Sequence, residues 1–460
     1  MVMRRGVRRW LATSPAPPSE EEQITRMVRK MHETYTSTPD AVSSPATNAD
    51  ATTRLMDRQF DHRTIGHCQQ LFMMDECAPG QAFILPHGAR VINRLMAWMR
   101  ELNARQGIDE VISPIVFDRG LWVQSGHAQH YEDQMYEVST RSSASIWGLK
   151  PMNCPAHCKM FGNVTNRSYR DLPVRYADFS PLHRDEASGA LTGLTRLRSF
   201  HQDDAHVYCA SDQVRAEIGT FLSTVDHVYT TLGFHDYELA LSTRPKTGSI
   251  GADDTWAHAE DALRASLAER HDNFSVNEGD GAFYGPKIDC SVKDAQGRSW
   301  QCGTIQLDLQ LPKRFDLGFT DDAGHRRVPI LLHRAVLGSF ERMMAILVEH
   351  YQGRWPLWLS PRQVLIISVT NHHAKFAVDL EAKFRRAGIF ADADVNDETV
   401  NKRIRKAVVL QYNYIVVVGD YEMQSGQINV RDGRDSRAVS DPVMVDTFIE
   451  ELQGMINAKA

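Results

Sequence analysis

One cysteine and two histidines stand out as groups that could hold a metal. Cys154 lies in Lys150-Pro151-Met152-Asn153-Cys154-Pro155, His206 in Gln202-Asp203-Asp204-Ala205-His206, and His333 in Leu331-Leu332-His333-Arg334. A thiol and two imidazoles suit Zn2+ with a fourth position left open, the pattern of a catalytic rather than a structural zinc site. Spacing alone does not assemble them, because they lie far apart in the chain. Satisfied core or surface groups are the alternative reading. A second set suits phosphate. Arg184 and Glu186 sit in His183-Arg184-Asp185-Glu186, and Arg342 in Gly338-Ser339-Phe340-Glu341-Arg342. Guanidinium forks grip phosphoryl oxygens at two points, although taken singly these residues read equally well as surface ion pairs. There is no Walker loop and no Gly-x-Gly-x-x-Gly after a strand, which disfavours a P-loop or Rossmann nucleotide site.

Patterned sequence able to position these groups begins near Asp61. Residues 90–105 carry Val91, Leu95, Met99 and Leu102 at a helical period and stop at Gly107. Residues 111–116 read as a strand broken at Pro114. Further strands are expected at 145–149, 172–179, 205–209, 237–241, 287–292 and 299–309, and a helix at 336–351. Many strands with long, variable connections predict an antiparallel sheet with helices packed around it, an α+β arrangement. A new unit starts after Pro356 and Pro361. A strand at 364–369, a helix at 374–387 and a strand at 414–418 predict an α/β module with a largely parallel sheet.

At 460 residues the chain has room for two or three domains, and 42% hydrophobic with 24% charged residues is ordinary for a globular protein. No run of 18 apolar residues suggests a membrane span. A net charge of −6 argues against coating nucleic acid by bulk electrostatics, so any such contact must rest on local patches. Seven cysteines, an odd number, do not make a disulfide framework and suit a reducing compartment. Arg4, Arg5, Arg8 and Arg9 flank Trp10 and Leu11, with no acid before Glu20. That composition reads as an organellar transit peptide, with a disordered basic tail as the alternative. Residues 36–53, rich in Ser, Thr, Pro, Ala and Asn, read as linker, with a helical stretch at 24–35 before them.

Taken in order, these fragments resemble the class II aminoacyl-tRNA synthetases, and within them the threonyl-tRNA synthetase family. The region called motif 1 resembles Ser113-Pro114 through Asp118-Arg119-Gly120-Leu121-Trp122 and Ser125-Gly126-His127. Motif 2 resembles His183-Arg184-Asp185-Glu186 through Arg198-Ser199-Phe200-His201-Gln202-Asp203-Asp204-Ala205-His206. Motif 3 resembles His333-Arg334-Ala335-Val336-Leu337-Gly338-Ser339-Phe340-Glu341-Arg342. Ala282-Phe283-Tyr284-Gly285-Pro286-Lys287 and the run from Trp300 to Asp308 are similar to the same family.

The resemblance implies one Zn2+ per chain on Cys154, His206 and His333, and Mg2+ with ATP. It implies Arg184 at the α-phosphate, Arg342 at the γ-phosphate, Glu186 at the adenine amino group and Phe200 stacked on adenine. Leu197, Gln301 and Thr304 would border the nucleotide. Met152, Gln202, Asp204, Tyr284, Gln306 and Ala335 would shape the threonine pocket, and His127 would assist transfer to the tRNA ribose. In the C-terminal module, which resembles an anticodon-binding domain, Glu422 and Arg431 match positions that contact anticodon bases. Lys402, Arg403, Arg405 and Lys406 would meet phosphates.

The expected organisation is therefore 1–56 transit peptide and linker, 57–357 class II catalytic domain, and 358–460 anticodon-binding domain. The implied protein is a homodimer of the mitochondrial matrix, with threonine, ATP and tRNA(Thr) as substrates and no membrane partner. The family usually has Asn and Pro at motif 2 where this chain has Asp185 and Ala187, and Gly at Ala156 and Ser199, yet every implied ligand is present. Many family members carry an N-terminal domain that hydrolyses Ser-tRNA, and the roughly 60 residues before the core are too few to hold one. A serine or proline enzyme of the same subgroup fits Cys154, His206 and Asp204 poorly. A non-catalytic regulator derived from a synthetase fits the retained Arg184, Glu186 and Arg342 poorly.

Overall fold

The computed structural model describes residues 61–459, apart from 142, 272, 295–296 and 435–438. The basic segment at 4–11, the helix expected at 24–35 and the linker at 36–53 lie outside the described residues.

An eight-stranded sheet carries the first half of the architecture. Its strands in chain order are β1 (Asp109–Glu110), β2 (Val174–Asp178), β3 (Asp204–Cys209), β4 (Glu238–Ser242), β5 (Ser275–Asn277), β6 (Lys287–Lys293), β7 (Ser299–Asp308) and β8 (Ile330–Ala335). Across the sheet they run β5-β4-β6-β7-β8-β3-β2-β1, antiparallel except at the two edge pairs. Helices α1 (Pro86–Arg105), α3 (Val214–Thr231), α4 (Asp253–Ala268) and α5 (Phe340–His350) bury one face. Strand alternation sorts the residues: Val207, Cys209, Ile305, Leu307 and Leu332 join that core, so Asp204, His206, Thr304, Gln306, His333 and Ala335 point the other way. Helix α2 (Cys154–Gly162) lies on this second face, where Phe161 stacks on Tyr208 at 4.5 Å.

Two expected elements take a different form. Residues 111–115 form no strand, because Pro114 has no N–H to give a ladder and the Ser113 N–H donates to Asp178 at 3.0 Å instead. The helix expected from 336 begins at Phe340. Residues 336–338 form a tight turn in which Asp203 accepts the N–H groups of Val336, Leu337 and Gly338 at 2.7–3.0 Å. Gly338 sits at φ +72°, and a Cβ there would lie 2.5 Å from the Cys302 carbonyl oxygen. The sequence reading assigns no element to α3 or α4, although α3 buries Val214, Ile218, Phe221, Leu222, Val225 and Val228 at a helical period.

The C-terminal module is a four-stranded sheet of β9 (Val364–Ser368), β10 (Ala391–Asp394), β11 (Tyr414–Val418) and β12 (Val430–Asp432), ordered β10-β9-β11-β12. The first three are parallel and β12 is antiparallel. Helices α6 (Ala374–Arg386) and α8 (Val445–Asn457) cover one face and α7 (Val400–Val409) the other, so every residue of β9 is buried. Arg90 of α1 joins the two sheets, reaching Asp392 at 2.9 Å and the Pro361 carbonyl at 2.7 Å.

Candidate active site

The open face of the first sheet forms the floor of a cavity of about 420 Å3. Register builds that floor. Lys287, Gln306, His333, His206 and Tyr176 are direct cross-strand partners in one row. The neighbouring row carries Asp289, Thr304 and Ala335, with Asp204 opposite Asp178. Adjacent strands lie about 4.8 Å apart, so residues distant in sequence become lateral neighbours.

At one end of the floor Cys154, His206 and His333 meet, all buried, with ligand atoms within 4.8 Å of one another. Helix α2 delivers the thiol from its first turn, and β3 and β8 deliver the imidazoles, His206 Nε2 lying 2.9 Å from His333 Nδ1. Tetrahedral zinc with bonds of 2.0–2.3 Å separates its ligand atoms by roughly 3.3–3.8 Å, so this donor set fits with small adjustments. Burial, then His333 and His157, push His206 well below its ordinary pKa, leaving a neutral imidazole able to donate a lone pair. Burial, then Asp204 and Cys158, push the Cys154 thiol well up, a cost that a bound cation would reverse. His333 Nε2 lies 3.0 Å from Asp308 Oδ2, and with that proton placed on Nε2 its Nδ1 is free to face the cluster.

Asp204 stands beside the cluster, its Oδ1 4.0 Å from His206 Nε2, and accepts from Asn153 Nδ2 at 3.0 Å. Burial raises its pKa, while His157, His333 and Asn153 lower it. Tyr284 stacks on His333 at 4.9 Å and donates its hydroxyl to Gln306. Gly285, next to it, lets the chain run against β7, since a Cβ there would lie 1.7 Å from the Leu307 carbonyl oxygen.

The far end is cationic. Arg184 lies over the Phe200 ring at 5.1 Å. Arg342 is in the first turn of α5, whose N-cap Ser339 accepts the Arg342 N–H at 3.1 Å. Its guanidinium donates to the carbonyls of Thr195 at 2.8 Å and Gln301 at 3.1 Å. Burial lowers the Arg342 pKa, followed in size by an opposing effect from Cys302. Glu186 pairs with Arg196 at 2.8 Å, and Gln301 and Thr304 both donate to Asp289 Oδ1.

A second histidine cluster, Asp61-His62-Glu349, reads differently. His62 Nδ1 contacts Glu349 at 2.7 Å and Nε2 accepts the Leu194 N–H at 3.1 Å, so both ring nitrogens are engaged in holding the 194–197 wall of the cavity. A larger groove of about 690 Å3 lies among α1, α3 and α4. Its Arg215 and Arg270 already bond Glu269 and Ser223.

Residues 136–351 match the family described as tRNA synthetase class II core domain (G, H, P, S and T), and residues 363–455 match the anticodon binding domain. A solved structure described as the RNA binding domain of threonyl-tRNA synthetase from Cryptosporidium parvum superimposes with a TM-score of 0.82 at 43% identity, covering 86% of this chain and 98% of that one. The chain belongs to the threonyl-tRNA synthetase family. Among curated members, the Arabidopsis thaliana mitochondrial threonine–tRNA ligase 1 is 47% identical over 397 residues, 86% of this chain and 55% of that protein. The Saccharomyces cerevisiae cytoplasmic enzyme is 44% identical over 405 residues, 87% of this chain and 54% of that protein. This chain therefore spans about half the length of the curated threonyl-tRNA synthetases it matches, and those include mitochondrial and cytoplasmic proteins.

The sequence-predicted residues of the family site converge well. Cys154, His206, His333, Met152, Gln202, Asp204, Tyr284, Gln306, Ala335, Arg184, Glu186, Leu197, Phe200, Gln301, Thr304 and Arg342 all line the one cavity. His127 does not. It is fully buried, with Nε2 3.7 Å from Cys154 Sγ and Nδ1 2.8 Å from Ser125 Oγ, and burial, then His333 and His130, hold its pKa down at about 3. Glu422 and Arg431 lie in the C-terminal module, Arg431 on its edge strand. Glu422 also accepts the Gly419 N–H at 2.8 Å, a helix-capping contact. Sequence reasoning missed Asp203, Asp289, Asp308, His157 and Lys287. The i, i+2 spacing of Asp289 from Lys287, and of Asp308 from Gln306, was the signal available for three of them.

Proposed function

We propose that this chain activates threonine with ATP and charges tRNA(Thr). The observation that carries this reading is the single cavity lined at one end by the cysteine–histidine cluster and Asp204 and at the other by Arg184 and Arg342. A threonine carboxylate oxygen attacks the α-phosphorus, the bond to pyrophosphate breaks, and threonyl-adenylate forms. A hydroxyl of the tRNA's terminal ribose then attacks the adenylate carbonyl carbon, and AMP leaves. Arg184 neutralises charge at the α-phosphate and Arg342 at the γ-phosphate, and Mg2+ arriving with ATP would supply further charge neutralisation. This is phosphoryl transfer by positioning and electrostatics. Phe200 stacks on adenine, Glu186 reads its amino group, and Leu197, Gln301 and Thr304 border the nucleotide.

Cys154, His206 and His333 would hold Zn2+, which would supply a Lewis-acid centre for recognising the amine and hydroxyl of the amino acid. Asp204 accepts a hydrogen bond from the substrate hydroxyl, while Gln202, Tyr284 and Gln306 orient the substrate and Met152 and Ala335 bound the pocket. Valine has the shape but leaves Asp204 unpaired, and a site built for a hydroxyl rejects such an analogue strongly. Serine keeps the hydroxyl and lacks one methyl, which is worth only about 10–200-fold. Pyrophosphate exchange with threonine, serine, valine and proline tests the assignment. Threonine is expected first, serine measurable, and valine and proline at background. Exchange led by another amino acid overturns it.

The domain assignment follows: 57–357 catalytic, 358–460 anticodon-binding, with Glu422 and Arg431 at the bases and Lys402, Arg405 and Lys406 of α7 toward phosphates. Arg403, expected with them, is instead buried and donates to the Asp394 and Ser368 carbonyls. Any part His127 has in the transfer step would run through Cys154, which its Nε2 approaches at 3.7 Å, so His127→Ala should disturb adenylate formation together with charging. A homodimer is supported by Ile112, 82% exposed, with Ile115 and Val116 beside the β1 sheet edge. The acid-free, arginine-rich residues 1–19 support delivery to the mitochondrial matrix, which an import assay with those arginines replaced by glutamine tests.

A further inference from the structure

His157 lies one helical turn beyond Cys154 on the same face of α2, fully buried. Its Nδ1 is 2.9 Å from Nδ1 of His206, with the rings edge-on at 87°. Its other nitrogen, Nε2, has no hydrogen-bond partner and points toward Asp178 Oδ2, 3.9 Å away. Asp178 is itself fixed. It accepts the N–H and hydroxyl of Ser113 at 3.0 and 2.6 Å, the Ser180 N–H at 2.8 Å, and lies 3.3 Å from Lys150 Nζ. Lys150 is wholly buried and also donates to Ser113 and Ser180 at 2.8 and 2.6 Å.

The two metal-facing imidazoles are thus supported differently. His333 reaches its carboxylate, Asp308, directly at 3.0 Å. His206 reaches no carboxylate through Nδ1, which faces His157 instead. An imidazole that offers Nε2 to a cation carries its proton on Nδ1, and that proton needs an acceptor. Here the acceptor is His157 Nδ1, which requires His157 to hold its own proton on Nε2, facing the Asp178 carboxylate. Reversing one proton alone would set two N–H groups, or two lone pairs, against each other, and reversing both would put the His206 proton on Nε2 and withdraw that nitrogen as a metal donor.

We propose that His157, oriented by the Lys150–Asp178 pair, is the positioning residue that fixes His206 as an Nε2 metal donor, in a carboxylate–histidine–histidine relay. The inference rests on the zinc reading above. His157 touches neither substrate nor metal; it acts through His206.

Leucine and asparagine separate this role from packing, because they match in size and differ in whether they present an acceptor where Nδ1 lies. Zinc affinity of the full chain is measured by chelator competition, and Co2+ substitution reports ligand geometry through its visible bands. His157→Leu should weaken zinc binding about 10–100-fold, the usual cost of losing such a partner, and His157→Asn should restore most of it. Equal affinity in wild type and His157→Leu overturns the relay, as does an equal loss in both variants. If His157→Leu does not fold, ring-nitrogen NMR shifts of the zinc-loaded wild type decide. A proton on His157 Nε2 and none on Nδ1 supports the relay, and the reverse tautomer or a doubly protonated ring overturns it. A wild type that binds no zinc at all removes the metal reading and the relay with it, an outcome distinct from zinc bound with no response at His157.

Discussion

The two sheets of this protein use their strands in opposite ways. The first is apolar on one face and carries polar residues beside a smaller apolar cluster on the other, and its candidate chemistry stands in the middle of strands β3, β7 and β8. The second is covered on both faces, so β9 is apolar throughout, and the residues assigned to tRNA sit on a short helix, an edge strand and the face of α7. A site written into strand interiors depends on the register of the whole sheet. A site placed around a sheet depends only on its own side chains. Substitutions in the first region should therefore abolish a step, and those in the second should weaken an affinity.

The most severe test is His206→Ala. Zinc should fall from about one per chain to near zero, and threonine-dependent pyrophosphate exchange should drop to background, measured by metal analysis beside the exchange assay. Normal exchange in a zinc-free protein would break the link between the polar row and the chemistry. Arg342→Ala should be milder, lowering kcat for adenylate formation about 10²–10³-fold, the cost of one lost transition-state donor. Its zinc content should not change, so the two ends of the cavity would be separable.

Arg431→Ala should leave pyrophosphate exchange untouched and cost about 1–3 kcal/mol in tRNA binding, read by filter binding at fixed salt. A fall in exchange would mean that the second sheet's surface is not independent of the first. The smallest effect is expected at the junction. Burial, then Arg362 and Arg90, hold His87 at a pKa of about 4, against an ordinary 6.5. As pH falls from 6.5 toward 4 the unfolded chain takes up this proton before the folded one, so the native state loses stability across that window. His87→Gln should shrink the difference in Tm between pH 7 and pH 5, and an unchanged difference would discount the junction as a pH-sensitive contact.

Much of this was legible in the chain, for identifiable reasons. The buried strands β3 and β11 announce themselves by apolar runs, and the order of motifs around Arg184, His206 and Arg342 points to the class II fold now matched. What could not be read was lateral. Nothing local to Lys287 or Asp289 says that they neighbour Gln306 and Thr304, because only cross-strand pairing makes them so. His157 carries no signal of its own in the sequence, where no element is assigned at 154–162, and its partner is 49 residues away. α5 starts later than the apolar period suggests, because Val336 and Leu337 continue that period while Asp203 holds their N–H groups in a turn. His127 fits its motif by sequence, yet folding places its ring behind Cys154 rather than on the cavity wall.

His206 and His333 are direct partners on neighbouring antiparallel strands. A slip of one residue between those strands would turn one imidazole to the opposite face of the sheet. If a cation is held by both rings, it would bind only the correctly paired sheet, and its binding would favour that pairing over a slipped one. At a thousandfold excess over its dissociation constant it would add about 4 kcal/mol to the native state and nothing to a misregistered one. Metal supply would then govern how much of the newly made chain survives, as well as how fast the survivors work.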